Sequence, residues 1–473
     1  MRASQVLTSA QMRGAEEALF AAGMSPFALM ERAASAAAEW VRRIAAGRPI
    51  TVLSGPGNNG GDGYVIAREC KRAGLEVQVV APLEPKTDQA RQAREIWLSL
   101  EEAKVLSSGK QTSGGVLVDC LFGSGLTRPL IAEHALLLRD LARRHGTLVA
   151  IDLPSGIASD TGEVLTESLA PFDVTLALGA WKYAHCFAGP RPIMGVMRLL
   201  PIGIDEVEGA AKRIERPAIN PPESSAHKYT RGLCAVIAGS MPGAAVLAAS
   251  AATRAGAGYV RVMDDAGGVR PPPSLVLDDR PLDAALGDKR IAAMLVGPGL
   301  GQSTAARGRL ATAMETSAPL VLDADALTLL EQSDMDQRQQ SPVIATPHDG
   351  ELSRLCSAFN VIAEGRMDRA RGLARASGMV VVAKGPDTFV ACPEGRLAIG
   401  PPASSWLSVA GTGDVLAGVI ASRLSTGSEP FDAACQGVWL HGETAQLCGP
   451  AFTPEGLAKA VSSALSRCLV QAQ

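Results

Sequence analysis

The sequence predicts an α/β protein built from two doubly wound domains, each a parallel sheet with helices on both faces. Short runs of Val, Leu and Ile alternate with longer segments whose apolar residues recur every three to four positions, which is typical of βαβ units. The alternation stops at residues 215–225, where three prolines stand in a segment without apolar periodicity, and then restarts. We therefore predict one domain at residues 1–218 and a second at residues 219–473.

The composition narrows the class of protein. Apolar residues make up 47% of the chain and aromatic residues only 4%, so the core must consist of Ala, Leu and Val. The formal net charge is −3 and like charges do not cluster, which disfavours binding to nucleic acid or to an anionic membrane surface. No run reaches the roughly 18 apolar residues of a transmembrane helix. We expect a homo-oligomer of unspecified size.

Two further features indicate the compartment. The N-terminal segment has the pattern of a capped amphipathic helix and not of a signal peptide. The nine cysteines are scattered and never form C-x-x-C, which favours buried thiols over disulfides or a zinc site. Both features predict a cytoplasmic protein.

The first half carries strand and helix signals in alternation. Strands are predicted at ITVLS (50–54), LEVQVV (75–80), VLVDCLF (116–122), TLVAID (147–152), VTLAL (174–178) and near Val196. Helices are predicted from Ser9 and at residues 26–40, 62–73 and 133–144. Because parallel strands need crossover connections, these elements predict an open parallel sheet.

The second half repeats the pattern. Strands are predicted within GLCAVIAGS (232–240), AAMLVGPG (292–299), PLVLDADAL (319–327), PVIATPH (342–348) and MVVVAKG (379–385). A helix of small residues is predicted at 244–255, and a hairpin joins TFVAC (388–392) to RLAIG (396–400) through a turn at Glu394 and Gly395. A last helical stretch begins near Gly411.

A glycine-rich loop, SGPGNNGGDG (54–63), leaves a predicted strand and enters a predicted helix. Its Gly55, Gly57 and Gly60 satisfy G-x-G-x-x-G, the pattern of a dinucleotide-binding loop. The same residues fit a tight turn whose asparagines merely tolerate a left-handed backbone. The motif alone leaves both interpretations open.

Oxygen-bearing side chains stand at the ends of several predicted strands. Asn59, Asp119 and Ser155 are expected to converge, because the carboxyl ends of parallel strands open on one crevice. This set offers only oxygens, which suits a hard cation and not zinc. Each acidic residue considered singly, Asp152 included, could instead be a helix N-cap.

The motifs GPGNNGGDG, VDCLFGSG, DLPSG and DTGEV resemble those of NAD(P)H-hydrate epimerases, in the same order over roughly residues 10–215. The resemblance implies a Rossmann-like domain in which Asn59, Asp119 and Ser155 contact a potassium ion. We take Asp152 as the acid/base candidate. The resemblance further implies that the damaged nicotinamide nucleotide is held by Asp152 and by Asn58, Asn59, Gly60, Gly61, Asp62, Gly123, Ser124, Gly125, Leu126, Thr127, Arg128 and Pro129.

The second half contains a different phosphate-binding signal. No G-x-x-x-x-G-K-[ST] occurs, which argues against a Walker-type loop. Instead, VAGTGDVLAG (409–418) places two glycines and Asp414 at the start of a predicted helix, whose free N–H groups and dipole attract anions. In most proteins an aspartate there is only a cap. The glycines, however, let a phosphate approach the backbone closely, which a cap does not require.

GTGD, together with GAGYV, GPGLG, LDADAL, TPHDGEL and KGPDT, resembles the ribokinase-like NAD(P)H-hydrate dehydratases over roughly residues 222–470. Asp349 stands where that family usually has proline. The resemblance implies that Asp414, the catalytic base, contacts the hydrate together with Ala257, Gly299 and His348. It assigns the adenine nucleotide to Lys384, Gly385, Pro386, Asp387, Thr388 and Gly413.

Together the two resemblances imply a bifunctional metabolite repair enzyme, an isomerase and a lyase. It would interconvert the R and S forms of the NADH and NADPH hydrates (NADHX and NADPHX). It would then dehydrate the S form with ADP and Mg²⁺, giving AMP and phosphate. The open alternatives are a ribokinase-like kinase with a regulatory dinucleotide module, a non-catalytic N-terminal binding module, and an NAD-dependent dehydrogenase.

Overall fold

The computed structural model describes residues 4–108, 112, 114–338 and 341–470. The chain divides into two compact units, Met1–Ala210 and Ala211–Gln473. Both have a mixed α/β architecture with parallel sheets, so the predicted fold class is confirmed. The division of activities at residues 218 and 219 stays a prediction. Within the described ranges, every helix is too short or too polar to span a bilayer.

The first unit is organised around a parallel sheet. Its strands are β1 (Gln5–Leu7), β2 (Ile50–Ser54), β3 (Val77–Val80), β4 (Val105–Leu106), β5 (Val116–Cys120), β6 (Thr147–Ile151), β7 (Val174–Leu178), β8 (Trp181–Lys182) and β9 (Val196–Leu200). Among the described residues, seven of them form the sheet in the order β4-β3-β2-β5-β6-β7-β9. β1 pairs in parallel with β8 outside it. The order changes direction between β2 and β5, which share one register from Ile50 opposite Val116 onward.

Helices cover this sheet. They are α1 (Ser9–Ala21), α2 (Pro26–Ala45), α3 (Asn58–Arg72), α4 (Asp88–Leu98), α5 (Ala132–Arg144), α6 (Tyr183–Cys186) and α7 (Arg191–Met194). α1 begins at a capping box formed by Thr8 and Gln11, as its sequence predicts. α3 begins in the glycine-rich loop, where a Cβ atom at Gly60 would lie 1.9 Å from the Gly55 carbonyl oxygen. The glycines thus let the helix start against the end of β2.

The second unit has a larger sheet. Its strands are β10 (Ala211–Arg213), β11 (Leu233–Ile237), β12 (Tyr259–Met263), β13 (Val276–Asp278), β14 (Ile291–Val296), β15 (Leu320–Leu322), β16 (Val343–Ala345), β17 (Val380–Ala383), β18 (Phe389–Ala391) and β19 (Leu397–Ile399). In the described part of the chain their order is β13-β12-β11-β14-β15-β16-β17-β18-β19-β10. The β17–β18 and β18–β19 pairs are antiparallel, which confirms the predicted hairpin.

The helices of this unit are α8 (Pro242–Arg254), α9 (Leu282–Leu286), α10 (Thr304–Met314), α11 (Asp325–Leu329), α12 (Gln332–Gln337), α13 (Asp349–Ala358), α14 (Arg366–Ser377), α15 (Thr412–Ser425), α16 (Pro430–Cys448) and α17 (Pro454–Cys468). α15 is almost wholly buried and packs on α8 through small residues. A Cβ atom at Gly418 would lie 2.1 Å from the Ala248 carbonyl oxygen, so the two backbones are in direct contact.

Candidate active sites

A cavity of about 620 Å³ opens at the carboxyl edge of the first sheet. Its walls include the segments that follow β2, β5 and β6, so it lies where the strand order changes direction. Open α/β sheets bind their ligands at this place. The polar side chains that line the cavity are Ser9, Arg13, Glu16, Asn58, Asn59, Asp62, Lys86, Thr87, Gln89, Ser124, Asp152 and Lys182.

An ion pair lies in this cavity. Asp152 follows β6 with a left-handed backbone, φ +65°, and its Oδ1 accepts a hydrogen bond of 2.5 Å from Lys182 Nζ. Nζ also donates to the Leu178 carbonyl at 2.6 Å, and the Lys182 side chain is only 1% exposed. Burial alone would raise the pKa of Asp152, but the Lys182 ammonium, together with His185 and the Leu178 amide, holds the pKa below its usual value. The carboxylate at this strand end is therefore ionised.

Two further carboxyl groups face the same space. Asp62 is 8% exposed, and its carboxyl group makes no hydrogen bond with any described residue. Burial raises the pKa of Asp62 well above its usual value, and the charges of Asp152 and Glu16 add to this effect while Lys182 opposes it. Burial also raises the pKa of Glu16. The cavity thus combines carboxyl groups whose pKa values are shifted in opposite directions.

The three predicted potassium ligands are brought to one end of the sheet. Ser155 Oγ lies 2.8 Å from Asp119 Oδ1, and the Ser155 amide donates to Asp119 Oδ2 at 2.9 Å. Burial raises the pKa of Asp119 to about 6. Both polar atoms of the Asn59 side chain are buried and lack a hydrogen-bond partner among the described residues. A Cβ atom at Gly123 would lie 3.2 Å from the Asn59 side chain. The orphaned oxygen fits a hard cation.

The residues predicted to hold the nicotinamide nucleotide divide into two groups. Those that line the cavity are Asn58, Asn59, Asp62, Gly123, Ser124, Gly125, Leu126 and Asp152. Gly60 and Gly61 are buried behind it, where they allow close packing. Thr127, Arg128 and Pro129 are exposed and lie outside its lining. The structure therefore places only the first part of the 123–129 loop at the cavity.

In the second unit, the start of α15 presents free backbone donors. The helix follows Gly411, whose φ is +96°, and the N–H groups of Gly413 and Asp414 have no acceptor among the described residues. His441 Nε2 donates to the Thr412 carbonyl at 2.9 Å, and burial lowers the pKa of His441 to about 4. The imidazole is therefore uncharged, and its hydrogen bond to Thr412 helps to hold the start of α15, whose free amides can bind an anion.

Asp414 stands in the first turn of this helix. Burial raises its pKa to about 7; the charges of Asp323 and Asp325 also raise it and Lys384 lowers it. A carboxylate with this pKa is poised to accept a proton near neutral pH.

A charged network lies beside this helix end. Lys384 Nζ donates to Asp323 Oδ1 at 2.7 Å, and Thr346 Oγ1 donates to the same oxygen at 2.7 Å. These residues follow β17, β15 and β16, three neighbouring parallel strands. A Cβ atom at Gly413 would lie 3.5 Å from Lys384 Nζ, so glycine leaves this approach open. Burial would lower the pKa of Lys384, but Asp323, Glu351 and Asp414 together raise it above its usual value.

His348 has a local structural role. Its Nδ1 accepts hydrogen bonds from the amides of Gly350 and Glu351 at 3.0 and 3.2 Å, so it caps α13. The side chain is 62% exposed, and its Nε2 lies 3.4 Å from Glu351 Oε1. Burial raises the pKa of Glu351, and Lys384 opposes that shift. The cap leaves Nε2 as the imidazole atom that can meet a ligand.

An arginine rests on the predicted nucleotide loop. Arg366 makes a bidentate ion pair with Asp349, through Nε at 2.7 Å and Nη2 at 2.5 Å. Its Nη1 donates to the Asp387 carbonyl at 3.2 Å and lies 2.3 Å from where a Cβ atom at Gly385 would stand. The aspartate at position 349 therefore holds an arginine against residues 384–388.

The two remaining residues predicted to contact the hydrate, Gly299 and Ala257, lie at different places in the second unit. Gly299 has φ +63°, and its missing Cβ would lie 2.2 Å from the Met241 carbonyl oxygen, at the carboxyl end of β14. Ala257 precedes β12, and its amide donates to Ser422 Oγ at 2.9 Å. Ser422 is about 12 Å along α15 from Asp414. Ala257 therefore lies near the opposite end of α15 from Asp414, and its contact with the hydrate stays a prediction.

Three residues in the candidate sites, Asp323, Glu351 and Lys182, are not among those predicted from the sequence. Asp323 and Glu351 lie within LDADAL and TPHDGEL, but the motifs themselves do not reveal what these two carboxyl groups contact. Lys182 comes shortly after the VTLAL strand, so the strand-end argument applied to Asp152 would also have found it.

Comparisons with known proteins cover both units. A family model described as NAD(P)H-hydrate dehydratase matches residues 234–467, and one described as YjeF-related protein N-terminus matches residues 26–184. The bifunctional NAD(P)H-hydrate repair enzyme of Gloeobacter violaceus is 34% identical over 96% of this chain and 96% of its own. That of Escherichia coli is 33% identical over 94% and 90%. A Bacillus subtilis ADP/ATP-dependent NAD(P)H-hydrate dehydratase crystallised with ATP and Mg²⁺ is 27% identical, with a TM-score of 0.47, over 53% of this chain and 95% of its own.

Proposed function

The chain belongs to the family of bifunctional NAD(P)H-hydrate repair enzymes, and we propose that its two units divide the work, the first as epimerase and the second as ADP-dependent dehydratase. The observation that carries this assignment is the placement of Asp414 beside two unpaired backbone amides and the Lys384 ammonium. Such a site can accept a hydroxyl proton and receive a phosphoryl group together.

The dehydratase reaction follows from the chemistry of the hydrate. Hydration leaves a hydroxyl on C6 of the nicotinamide ring, and hydroxide is a poor leaving group. Asp414 takes the proton of this hydroxyl as its oxygen attacks the terminal phosphorus of ADP, and AMP leaves. The ring nitrogen then expels phosphate and a ring proton is lost, which restores the dihydropyridine. The amides of Gly413 and Asp414 stabilise charge on the transferred group.

We assign the ligands of this site by position. Lys384, the loop that follows it through Thr388, and Gly413 hold ADP, while Gly299 and His348 Nε2 contact the hydrate. Mg²⁺ would neutralise charge on the phosphates of ADP. No cluster of three or more His, Cys, Asp or Glu side chains suited to a metal occurs among the described residues. This fits an ion held mainly by substrate phosphates, to which the Asp323 carboxylate would add a protein ligand.

We assign to the first unit the interconversion of the two C6 epimers of the hydrate. Only one C6 epimer presents its hydroxyl correctly to Asp414, so interconversion lets the second unit consume both. Opening at C6 to an iminium and re-addition of water exchanges the two forms, and Asp152 moves the proton. Asn59, Asp119 and Ser155 would hold K⁺, which would supply positive charge beside the bound nucleotide.

One assay tests both assignments. A mixed-epimer hydrate is supplied with ADP, and the recovery of dihydronicotinamide absorbance is followed. The wild type should recover all of it. Asp152→Asn should stop near the S fraction, and Asp414→Asn should recover none while still equilibrating pure R hydrate. A stable phosphoester in place of AMP and phosphate would show a kinase instead.

We place the enzyme in the cytoplasm. Cys70, Cys120, Cys234, Cys356, Cys392 and Cys468 are buried free thiols, which suits a reducing compartment. The homo-oligomeric state stays a prediction, which light scattering of the purified protein would test.

A further inference from the structure

The epimerase cavity holds more carboxyl groups than the assigned reaction uses. Asp152 is neutralised by direct contact with Lys182. Asp62 and Glu16 line the same cavity, and neither has an ion-pair partner among the described residues. Of these three carboxyl groups only Asp152 contacts a cation, so an ionised Asp62 would be a buried charge without a direct counterion among the described residues.

Asp62 is the most enclosed of the unpaired groups. It is 8% exposed, and its side chain lines the cavity without a hydrogen bond to any described residue. Its helix cannot shift easily, because a Cβ atom at Gly61 would lie 2.5 Å from Met30 and one at Gly63 would lie 2.6 Å from Ser54. A polar group held in this way, with no protein partner, is available to a ligand.

We propose that Asp62 is a catalytic residue of the epimerase, a neutral carboxylic acid that protonates the C6 hydroxyl as it departs. This inference rests on the proposed function of the first unit. Asp62 gives its proton to the hydroxyl, the C6–O bond breaks, and water and a ring iminium form. Water then adds to the other face of C6, and Asp152 takes the proton that it loses. The two carboxyl groups exchange roles in the reverse direction, so the reaction needs no further reactant.

The electrostatics agree with this division. Asp62 faces Asp152, Glu16, Lys182 and the Cys120 thiol. Burial raises the pKa of Asp62, both neighbouring carboxylates raise it further, and only Lys182 lowers it. Asp152 has the opposite shift because it alone touches the ammonium. Two groups with pKa values pushed apart are the arrangement that acid and base roles require.

The test uses the full-length enzyme. Asp62→Asn keeps the shape of the side chain and removes its acidic proton. We expect kcat for conversion of R to S hydrate to fall by about 100-fold or more, with KM changed little. ADP-dependent dehydration of S hydrate by the same polypeptide should be unchanged. Asp88→Asn, whose side chain is 91% exposed in the same unit, is the matched control and should epimerise normally.

Two further measurements distinguish loss of the Asp62 proton from damage to the cavity. Calorimetric titration with NADH reports whether the Asp62→Asn cavity is intact. The wild-type kcat for epimerisation should also fall as rising pH ionises Asp62, and this decline can be measured without any variant. Normal epimerisation by Asp62→Asn, or a wild-type kcat that does not decline with rising pH, would overturn the inference and leave the epimerase assignment standing. A wild type that never interconverts the epimers would defeat the proposed function itself.

Discussion

The pH dependence of dehydration is the sharpest consequence of the second site. Burial, with Asp323 as the main neighbouring charge, raises the pKa of Asp414 to about 7. A general base acts as the carboxylate, so kcat/KM should rise with pH through about 7 and level off above it. At pH 6 about a tenth of Asp414 would be ionised, and the rate should be about a tenth of its plateau.

Replacing Asp323 by Asn moves this profile in a defined direction. The substitution removes a negative charge that raises the pKa of Asp414, and it frees Lys384, which lowers that pKa. The acidic limb should therefore move to lower pH. A tenfold increase in the acidity of Asp414 would correspond to about 1.4 kcal/mol of relieved unfavourable interaction.

The assay is recovery of dihydronicotinamide absorbance from S hydrate at subsaturating concentration, with ADP and Mg²⁺ in excess, at a series of pH values on both sides of neutrality. The reaction without enzyme is subtracted at each pH. Asp283→Asn, at an exposed position of the same unit, is the control and should reproduce the wild-type profile. A flat wild-type profile, or a limb that moves to higher pH in Asp323→Asn, would refute the assignment of Asp414 as the base.

Three other predictions concern packing and ligand binding. Asn59→Ala should abolish any activation of epimerisation by K⁺ over Na⁺; a persistent preference for K⁺ would move the ion elsewhere. Gly60→Ala should lower the free energy of unfolding of the first unit by at least about 2 kcal/mol in urea, because its Cβ would strike the Gly55 carbonyl; unchanged stability would contradict that contact. Arg366→Met should raise KM for ADP by about 3- to 10-fold without changing kcat, since the loop at Gly385 loses its support; steady-state kinetics with an unaltered KM would show that the arginine is dispensable.

The sequence predicts the parts of each site that obey the periodicity of parallel sheets. Asp119, Asp152 and Ser155 could be assigned to one crevice because strand ends are visible in the pattern. Asp414 could be found because glycines before an apolar helix mark a phosphate site. These signals are local, so they survive without knowledge of the fold.

Lys182 lies close to a strand end that the pattern reveals, but its contact with Asp152 has no local signal. β8, which carries Lys182, has two residues and pairs with β1, more than 170 positions earlier in the chain. No periodic sequence pattern predicts a pairing between strands this short and this far apart in the chain. The motif that contains Ala257 has a local signal, but its place in the fold differs from that of Asp414. GAGYV resembles the family motif, but its first residues precede a strand, and the amino end of a parallel strand lies away from the ligand edge.

The backbone contact between Gly418 and Ala248 limits how this enzyme can be re-engineered. A larger residue at position 418 would strike the Ala248 carbonyl, push α15 away from α8 and displace the Asp414 carboxylate. Attempts to change the phosphoryl donor or the accepted hydrate should therefore leave this contact between α8 and α15 unchanged. Diversity is better introduced in the loops that surround it, where a library can vary recognition without displacing the base.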